Sequence, residues 1–193
     1  MGRRKGLSLN RRQVVDAAIG CIEAQGPGAL GVTRVAAALG IKPPSIYNHV
    51  GKGDALAWAV AIEGNRRIRD AMRLAVRGVV APRRQLEALT TASRAWARAN
   101  PGLYTVMAQT RPDNAHPEFA PIMDDILELF GRPLAQLGVA PVDTVHAVRG
   151  LRAAMHGFLL LEASGQFQLA DDVDASFAWL IRAILDGVET DVG

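Results

Sequence analysis

The chain has 193 residues, of which 49% are hydrophobic and 21% charged, and its formal net charge is +3. This balance is typical of a folded protein and excludes an intrinsically disordered one, while the length allows a small domain joined to a larger one. The single cysteine, Cys21, excludes an intramolecular disulfide. Because the sequence has neither a secretion signal nor an apolar run of about 18 residues, it predicts a cytoplasmic protein that does not span a membrane.

The charge is unevenly distributed along the chain. Residues 1–53 hold eight Lys or Arg residues against Asp16 and Glu23, a net charge of +6, so the remainder carries −3. A basic N-terminal segment indicates a polyanionic partner for that segment alone. Its first residues include Arg3, Arg4 and Lys5, which are either a solvated chain end or contacts to a nucleic-acid backbone.

The first predicted helix runs from about Leu9 to Ala24, with Ser8 or Asn10 as its cap. Apolar residues recur at helical spacing along it, and the predicted buried stripe is Val15, Ala18, Ile19 and Ile22. Cys21 lies in the same pattern and is interpreted as a small core residue. The run Gln25-Gly26-Pro27-Gly28 ends this helix.

Residues 33–52 are interpreted as two short helices joined by a tight turn. Thr33 is the predicted N-cap of the first helix, and Gly40 is placed where a helix ends in the left-handed conformation. Pro43 and Pro44 are tolerated in the first turn of the second helix, which is predicted over residues 43–49. Three helices of this size share a small core, so the head is expected to depend on the segments that follow.

The second short helix is predicted to expose polar side chains. Ile46 and Val50 point inward, which leaves Ser45, Tyr47, Asn48 and His49 outward. Such groups, with the amides of the helix N-terminus, suit the phosphates and base edges of a DNA groove. Lys42 has no side-chain oxygen to cap this helix, so a phosphate is a candidate acceptor. On spacing alone, a short connecting helix of an all-helical protein fits equally well.

A long helix is predicted over residues 54–80. Its apolar residues keep a four-residue rhythm: Leu56, Val60, Ile68, Met72, Val76 and Val80. Such a helix can link a head to a body mechanically. Its arginines are predicted to be solvated on the outer side: Arg66, Arg67, Arg69, Arg73 and Arg77.

Five further helices are predicted, at residues 82–99, from Pro101, at 119–137, at 142–163 and at 173–188. The fold class is therefore all-α with about nine helices. The last two helices either pair with their copies in a second subunit or belong to the intrachain core. Asp124 and Asp125 are interpreted as a solvated face, and Asp171, Asp172 and Asp174 as charges at a helix start.

The sequence contains no glycine-rich phosphate loop, Cys/His metal cluster or nucleophile motif, so we predict no catalytic residue, metal or cofactor. Several helices carry aromatic, sulfur-containing or imidazole side chains that are either core or the lining of a cavity. They are Trp96, Tyr104, Met107, Phe119, Met123, Met155, His156 and Phe158.

The run LGIKPPSIYNHV resembles the helix-turn-helix of the TetR family of bacterial transcription regulators. The matching residues, in register, are Leu39, Gly40, Pro44, Ser45, Tyr47, His49 and Val50. Where that family usually has a phosphate-contacting lysine at the start of the next helix, this chain has Gly53, with Lys52 one residue earlier. The run Met155-His156-Gly157 is similar to the Trp-His-Gly run of one TetR subgroup, without its tryptophan.

The resemblance implies a homodimeric, ligand-responsive regulator, expected to be a repressor. A helix-turn-helix head at residues 1–53 would bind a palindromic DNA operator, and a helical body at 54–193 would bind a small-molecule effector and dimerise through the last two helices. The expected DNA-binding residues are Thr33, Arg34, Lys42, Ser45, Tyr47, His49 and Lys52, chiefly at phosphates, and Pro43, Pro44 and Asn48, nearest the bases.

The same resemblance implies a ligand cavity among the eight body side chains listed above, with Tyr104 and His156 as its polar contacts. The alternative from another class is an all-helical small-molecule enzyme or carrier without DNA function, whose basic head is incidental. Salt-dependent DNA binding distinguishes the two hypotheses.

Overall fold

A computed structural model describes residues 9–111 and 113–190 of the chain. Over these residues it contains nine α-helices, one 3-10 turn and no strand, which confirms the all-α prediction. The N-terminal elements are α1 (Arg11–Gln25), the 3-10 turn (Pro27–Ala29), α2 (Val32–Leu39), α3 (Pro43–Val50) and α4 (Ala55–Ala75). The remaining helices are α5 (Pro82–Ala99), α6 (Pro101–Gln109), α7 (Ala120–Gln136), α8 (Pro141–Ala163) and α9 (Val173–Thr190).

The chain divides into two compact units, and the division falls inside α4, between Asn65 and Arg66. The first unit contains the residues up to Asn65 together with the segment that begins at Asn100 and carries α6. The second contains the rest of α4 with α5, α7, α8 and α9. The functional boundary between residues 53 and 54 stays a prediction.

The ends of the first helix follow local chemistry. The Asn10 side chain accepts a hydrogen bond from the Gln13 amide at 3.0 Å, and the Gln13 side chain accepts one from the Asn10 amide at 2.9 Å. This reciprocal capping box starts α1 at Arg11. Gly26 ends it with φ 85°, a value that favours glycine. Ser8, the other candidate cap, and Arg3, Arg4 and Lys5 lie outside the described residues.

The prediction for the long helix was wrong at its C-terminal end. α4 stops at Ala75 and a turn follows, in which Gly78 adopts φ 75°. Ile68 and Met72 are buried as expected, whereas Val80 is 86% exposed. The prediction failed because apolar residues keep their four-residue spacing beyond the end of the helix, where Gly78 favours a turn over continued α-helix.

The core of the first unit is built from more than the three N-terminal helices. Buried apolar residues come from α1, α2, α3, the first half of α4 and α6: Val14, Ala18, Ile19, Ile22, Val35, Ile46, Leu56, Val60, Leu103 and Val106. Cys21 is buried among them, as predicted. As expected, the N-terminal helices depend on later segments, since α4 and α6 complete their core.

Close packing seats α6 in this unit. A Cβ on Gly102 would lie 2.8 Å from Ile22 Cγ2 and 3.1 Å from the Ile22 carbonyl oxygen, so only glycine lets α6 approach α1 this closely. The Leu103 amide also donates to Glu23 Oε1 at 3.2 Å. On the other side, Met107 Sδ would lie 2.5 Å from a Cβ on Gly64 of α4.

The second unit is a helical bundle in which α5 packs against α7, α8 and α9. Its buried apolar residues are Leu86, Leu89, Phe119, Ile122, Phe130, Leu134, Leu151, Met155, Leu159, Phe177, Ile181 and Leu185. Within the described ranges, no helix combines the length and apolar character needed to cross a membrane.

Arginine ion pairs hold the second unit's helices together, contrary to the predicted solvation of Arg69 and of Asp125. Arg69 Nη1 lies 3.0 Å from Asp125 Oδ2, and Arg73 Nη2 lies 2.8 Å from Asp125 Oδ1. The Arg69 side chain is only 14% exposed. The error arose because the sequence does not reveal that α4 and α7 bring these opposite charges together.

Candidate nucleic-acid interface

The turn between α2 and α3 has the hydrogen bonds of a Schellman motif. Gly40 adopts the left-handed conformation with φ 67° and ψ 30°, as predicted. Its amide donates to the Ala37 carbonyl at 3.1 Å, and the Ile41 amide donates to the Ala36 carbonyl at 3.0 Å. Because these bonds satisfy the last carbonyls of α2, the chain turns sharply and α3 leaves at a fixed angle.

Two expectations about the helix starts were wrong. The N-cap of α2 is Gly31 and not Thr33, because the helix already begins at Val32. No side chain caps this helix, since glycine has none. The first turn of α3 offers few amides to a phosphate. Pro43 and Pro44 have no N–H, and the Ser45 amide already donates to the Lys42 carbonyl at 2.9 Å. Any phosphate bound at α3 would therefore be contacted mainly by side chains.

Ile46 anchors α3 to the first unit and is fully buried. At 100° per residue, Pro44 and Asn48 lie about 160° around the helix axis from Ile46, so they form the ridge that points directly outward. Both are exposed. Tyr47 lies on one flank of this ridge and is 39% exposed, whereas the half-buried Ser45 lies on the other.

The remaining positions of α3 lie nearer the anchor. Pro43 and Val50 are half-buried on the Tyr47 side, and His49 is half-buried on the Ser45 side. Pro43 was expected beside Pro44 and Asn48, but the helical rotation places it away from their ridge. Val50 was expected to point inward and does so only in part.

The other predicted DNA-binding residues lie at the two ends of the helix-turn-helix. Thr33 and Arg34 are exposed in the first turn of α2, and Lys42 is exposed before α3. Lys52 is exposed in the connection to α4, between Gly51 with φ 96° and Gly53 with φ 63°. Since a lysine at position 53 would have to adopt that left-handed geometry, the glycine there matches the local backbone.

The first unit keeps its positive charge at the surface. Arg12 forms an exposed i,i+4 pair with Asp16 at 3.6 Å, which contributes little to stability. Glu23, the other acidic residue among positions 1–53, accepts a hydrogen bond from the Leu103 amide. Arg34, Lys42 and Lys52 are all exposed, so the helix-turn-helix carries three cations that can meet a polyanion.

The candidate cavity residues are divided between the two units. Tyr104 and Met107 belong to the first unit and are half-buried. The six others belong to the second: Phe119 and Met155 are buried, and Trp96, Met123, His156 and Phe158 are half-buried. Burial, reinforced by the nearby Arg152 guanidinium, lowers the pKa of His156. A ligand cavity among these side chains stays a prediction.

One buried charged cluster was missed by sequence reasoning. Arg94 is 7% exposed; its Nε and Nη2 donate to Glu162 at 2.9 and 2.6 Å, and Nη2 also donates to Asp174 at 2.7 Å. Its guanidinium carbon lies 4.8 Å from the Phe177 ring centroid and 5.5 Å from that of Phe158. These hydrogen bonds raise the pKa of Arg94, and the bond to Glu162 has the largest effect.

A pattern that indicates this burial is present in the sequence. Arg94 follows Leu86 and Thr90 at four-residue intervals, on the stripe of α5 that faces the core. The cluster also changes the interpretation of Asp174, which pairs with Arg94 and Arg98 and is not only a charge at a helix start. Among the described residues, no group of three or more His, Cys, Asp or Glu side chains is arranged to hold a metal ion.

Comparison with known proteins matches residues 86–184 to the model of the "Tetracyclin repressor-like, C-terminal domain" family. An uncharacterized HTH-type transcriptional regulator of Bacillus subtilis, YobS, is 28% identical over 186 residues, which cover 94% of both chains.

Two solved structures share the fold. A TetR variant from Acinetobacter baumannii AYE in complex with minocycline has a TM-score of 0.77 at 21% identity, over 96% of this chain and 99% of that one. BioQ with its natural double-stranded DNA operator has a TM-score of 0.72 at 22% identity, over 95% and 99%.

Proposed function

The chain belongs to the tetracycline repressor-like (TetR) family of helix-turn-helix transcription regulators, and on that premise we propose that it is a homodimeric repressor released from a palindromic operator by a small molecule. The observation that carries the proposal is the way α3 is anchored and exposed. It is held by one fully buried side chain, Ile46, and presents an exposed polar surface between exposed cations. A regulator of bacterial transcription acts where the chromosome lies, so we expect the protein in the cytoplasm.

In the proposed complex, the outward ridge of α3 enters the major groove. Asn48 faces an adenine edge, with which its amide can form a bidentate pair. Ser45, Tyr47 and His49 lie on the flanks, where the groove walls place the phosphates. Because the first turn of α3 supplies so few amides, the exposed side chains of Thr33, Arg34, Lys42 and Lys52 contribute the remaining phosphate contacts.

The proposed dimer forms through α8 and α9. On α9, Trp179 is 63% exposed in the middle of the helix. On α8, an outward stripe contains Val142, Val145, Ala153, Gly157 and Leu160, all exposed, with the exposed Arg149 among them. A large exposed aromatic residue on α9 and a largely apolar stripe with small residues on α8, which packs against α9, favour a partner helix pair, because the small residues allow close approach. Two α3 helices related by a twofold axis would read a palindromic site.

The proposed effector binds in the second unit, and its candidate contacts are the six cavity residues of that unit named above. The minocycline complex of the TetR variant and the operator complex of BioQ support these two kinds of partner by fold similarity. An effector shifts DNA affinity only by its differential affinity for the two states, typically about 1–3 kcal/mol.

The test is a selection of DNA from a random pool, followed by affinity measurements over a range of salt. A dimer that makes about six phosphate contacts should lose roughly a thousandfold in affinity between 50 and 200 mM salt. Lys52→Ala should make the salt dependence shallower, whereas Arg132→Ala, which removes an exposed charge of the second unit, should leave it unchanged. A small-molecule carrier or enzyme, the alternative, would select no sequence and show no such salt dependence.

Two variants of α3 test the groove assignment. Tyr47→Ala should weaken binding to all sequences, because it removes a phosphate contact, whereas Asn48→Ala should change the preference among sequences. The measurement is a binding competition on the selected operator and its single-base variants. If both variants bind like the wild type at matched salt, α3 does not lie in the groove.

A further inference from the structure

The surroundings of Arg94 consist of a buried inner side and an exposed outer side. On the inner side, the Glu162 side chain is 17% exposed and Phe177 is buried. On the outer side, the Asp174 side chain is 67% exposed and Phe167 is also exposed. Both outer residues belong to the stretch between the end of α8 and the first turn of α9, so one local movement would displace both.

The outer side brings a ring and a carboxylate to the same arginine. The Phe167 ring centroid lies 4.7 Å from that of Phe158, and the Arg94 guanidinium carbon lies 5.5 Å from the same Phe158 centroid. Asp174 Oδ1 accepts hydrogen bonds from Arg94 Nη2 at 2.7 Å and from Arg98 Nη1 at 3.0 Å. A ring and a carboxylate are the two groups of an aromatic acid, so the chain itself supplies both groups here.

The connection between α8 and α9 holds Phe167 in place through side chains. Its backbone hydrogen bonds to α8 end with Gln166, whose amide donates to a carbonyl of that helix at 3.0 Å. Among the described residues, no backbone hydrogen bond holds positions 167–171, and the Gln168 side chain donates within the connection, to the Gly165 carbonyl. Displacement of the Phe167 ring therefore breaks a ring contact and no backbone hydrogen bond.

We propose that the effector is an aromatic carboxylate that binds against Arg94 and displaces Phe167 and Asp174. This inference rests on the proposed effector binding in the second unit and names the chemical class of the effector. The ring of the ligand replaces that of Phe167 on Phe158, which is one of the candidate contacts. Its carboxylate replaces that of Asp174 on the guanidinium groups.

The charge balance of the cluster favours this exchange. Two arginines, Arg94 and Arg98, pair with two carboxylates, those of Glu162 and Asp174. Departure of Asp174 leaves one net positive charge in the cluster, and a monocarboxylate neutralises it. A guanidinium also suits this class of ligand, because it binds carboxylates through its fork of N–H groups and lies over aromatic rings. An uncharged aromatic ligand would leave the positive charge unpaired.

The experiment is isothermal titration calorimetry of the full-length protein with benzoate, phenylacetate and 3-phenylpropionate. These probes differ in the number of methylene groups between the ring and the carboxylate. At least one of them should bind. Its uncharged amide should bind at least about tenfold more weakly, because hydrogen bonds to charged groups are the stronger ones.

Variants of the outer side should bind the probe more tightly, because they remove an internal competitor. Phe167→Ala should raise the affinity roughly two- to tenfold, the range expected of one aromatic pair. Asp174→Asn should also raise it, since the competing negative charge is gone. Arg98→Ala should lower it by about fivefold. Leu169→Ala is the matched control, because Leu169 is exposed in the same connection, and this variant should bind like the wild type.

The proposal is overturned if no probe binds to either the wild type or Phe167→Ala, or if Phe167→Ala binds the probe no more tightly than the wild type. Saturation with the probe should also weaken operator binding by the wild type roughly fivefold or more, and an unchanged operator affinity would equally overturn it. Operator binding without a probe does not depend on this site. Failure of this inference is therefore distinct from failure of the proposed DNA binding, and the effector would then belong to another chemical class.

Discussion

At the scale of single residues, Arg94 has a role that its charge alone does not suggest. Its guanidinium is shielded by the rings of Phe158 and Phe177 and hydrogen-bonded to Glu162 and Asp174. A buried ion pair is weak evidence for net stability, but removal of one partner leaves the other charge buried and unpaired. Loss of Arg94 alone should therefore destabilise the fold, whereas apolar replacement of the whole cluster can leave the stability unchanged.

Arg94→Ala should lower the free energy of unfolding by about 3 kcal/mol, because Glu162, only 17% exposed, would lose its bidentate partner and keep only Arg98, whose Nε lies 3.9 Å away. The matched control is Arg98→Ala, one helical turn later on α5. The Arg98 side chain is 56% exposed, and its loss should cost less than about 1 kcal/mol. Urea denaturation of both variants measures the difference, and equal losses would contradict the assigned burial.

His156 should make stability depend on pH. Its pKa is lowered by burial and by Arg152, so the unfolded chain takes up a proton near the ordinary value of about 6.5 before the folded chain does. Stability should therefore fall as the pH drops below about 6.5, and this contribution should be constant at higher pH.

Urea denaturation at pH 7.5 and 5.5 tests this expectation. His156→Gln should reduce the loss of stability between the two values. Arg152→Ala should reduce it by a smaller amount, because burial is the larger cause of the shift. A pH dependence that is identical in His156→Gln and the wild type would rule out this histidine as its source.

At the scale of elements, α6 depends on glycines that belong to two different segments of the chain. Gly102 lets α6 approach Ile22 of α1, and Gly64 of α4 leaves room for Met107 of α6. The first contact is against a branched side chain and a backbone carbonyl, neither of which can move freely. The second is against Met107 Sδ at 2.5 Å and Cγ at 2.8 Å, with Leu103 Cδ1 at 3.3 Å; the methionine side chain is flexible, whereas Leu103 is fully buried.

Gly102→Ala should therefore destabilise the first unit by about 1–3 kcal/mol through overpacking. Gly64→Ala should also destabilise this unit, but by less, since the flexibility of Met107 and the higher helix propensity of alanine offset part of the displacement. Gly20→Ala provides the control, because no atom of the described residues beyond the neighbouring backbone of α1 lies within 4 Å of the added Cβ, and it should stabilise α1 by up to about 1 kcal/mol. Thermal unfolding ranks the three variants, and a stabilised Gly102→Ala would contradict the packing.

Ion pairs also fix the register of α9 against α5. Arg83, near the start of α5, pairs with Asp186 and Glu189 near the end of α9, whereas Arg94 pairs with Asp174 near its start. The two helices are therefore antiparallel and are held at both ends. This register keeps Phe177, Ile181 and Leu185 in the core and leaves Trp179 exposed.

At the scale of the whole molecule, the exposed face that contains Trp179 should decide the oligomeric state. Trp179→Glu places a charge in the proposed dimer interface and should shift the protein toward a monomer, because an unpaired buried charge is costly. Operator affinity should fall with it, since two linked heads bind more tightly than one.

Leu74→Glu serves as the matched control, because Leu74 of α4 is 62% exposed, almost the same as Trp179 at 63%, and lies outside the proposed interface. It should leave the mass unchanged. Light scattering coupled to size-exclusion chromatography measures the mass of both variants. A Trp179→Glu protein with the wild-type mass would exclude an interface centred on that residue.

The amino-acid sequence by itself determined the features that depend on local chemistry. The helices of the part that the structure describes, the left-handed Gly40 turn, the buried Ile46 and the exposed Tyr47 and Asn48 all follow from helical periodicity, capping and the conformational freedom of glycine. The family resemblance rests on the same short stretch, because a helix-turn-helix is specified by neighbouring residues.

Only the tertiary structure decided which distant segments meet. It placed α6 in the core of the first unit, buried Arg94 between two aromatic rings and brought Arg69 and Arg73 to Asp125. Residue spacing also could not decide where α4 ends, since an apolar rhythm can continue past the last helical turn. Such contacts join residues dozens of positions apart, and their free energy depends on geometry that local periodicity does not encode.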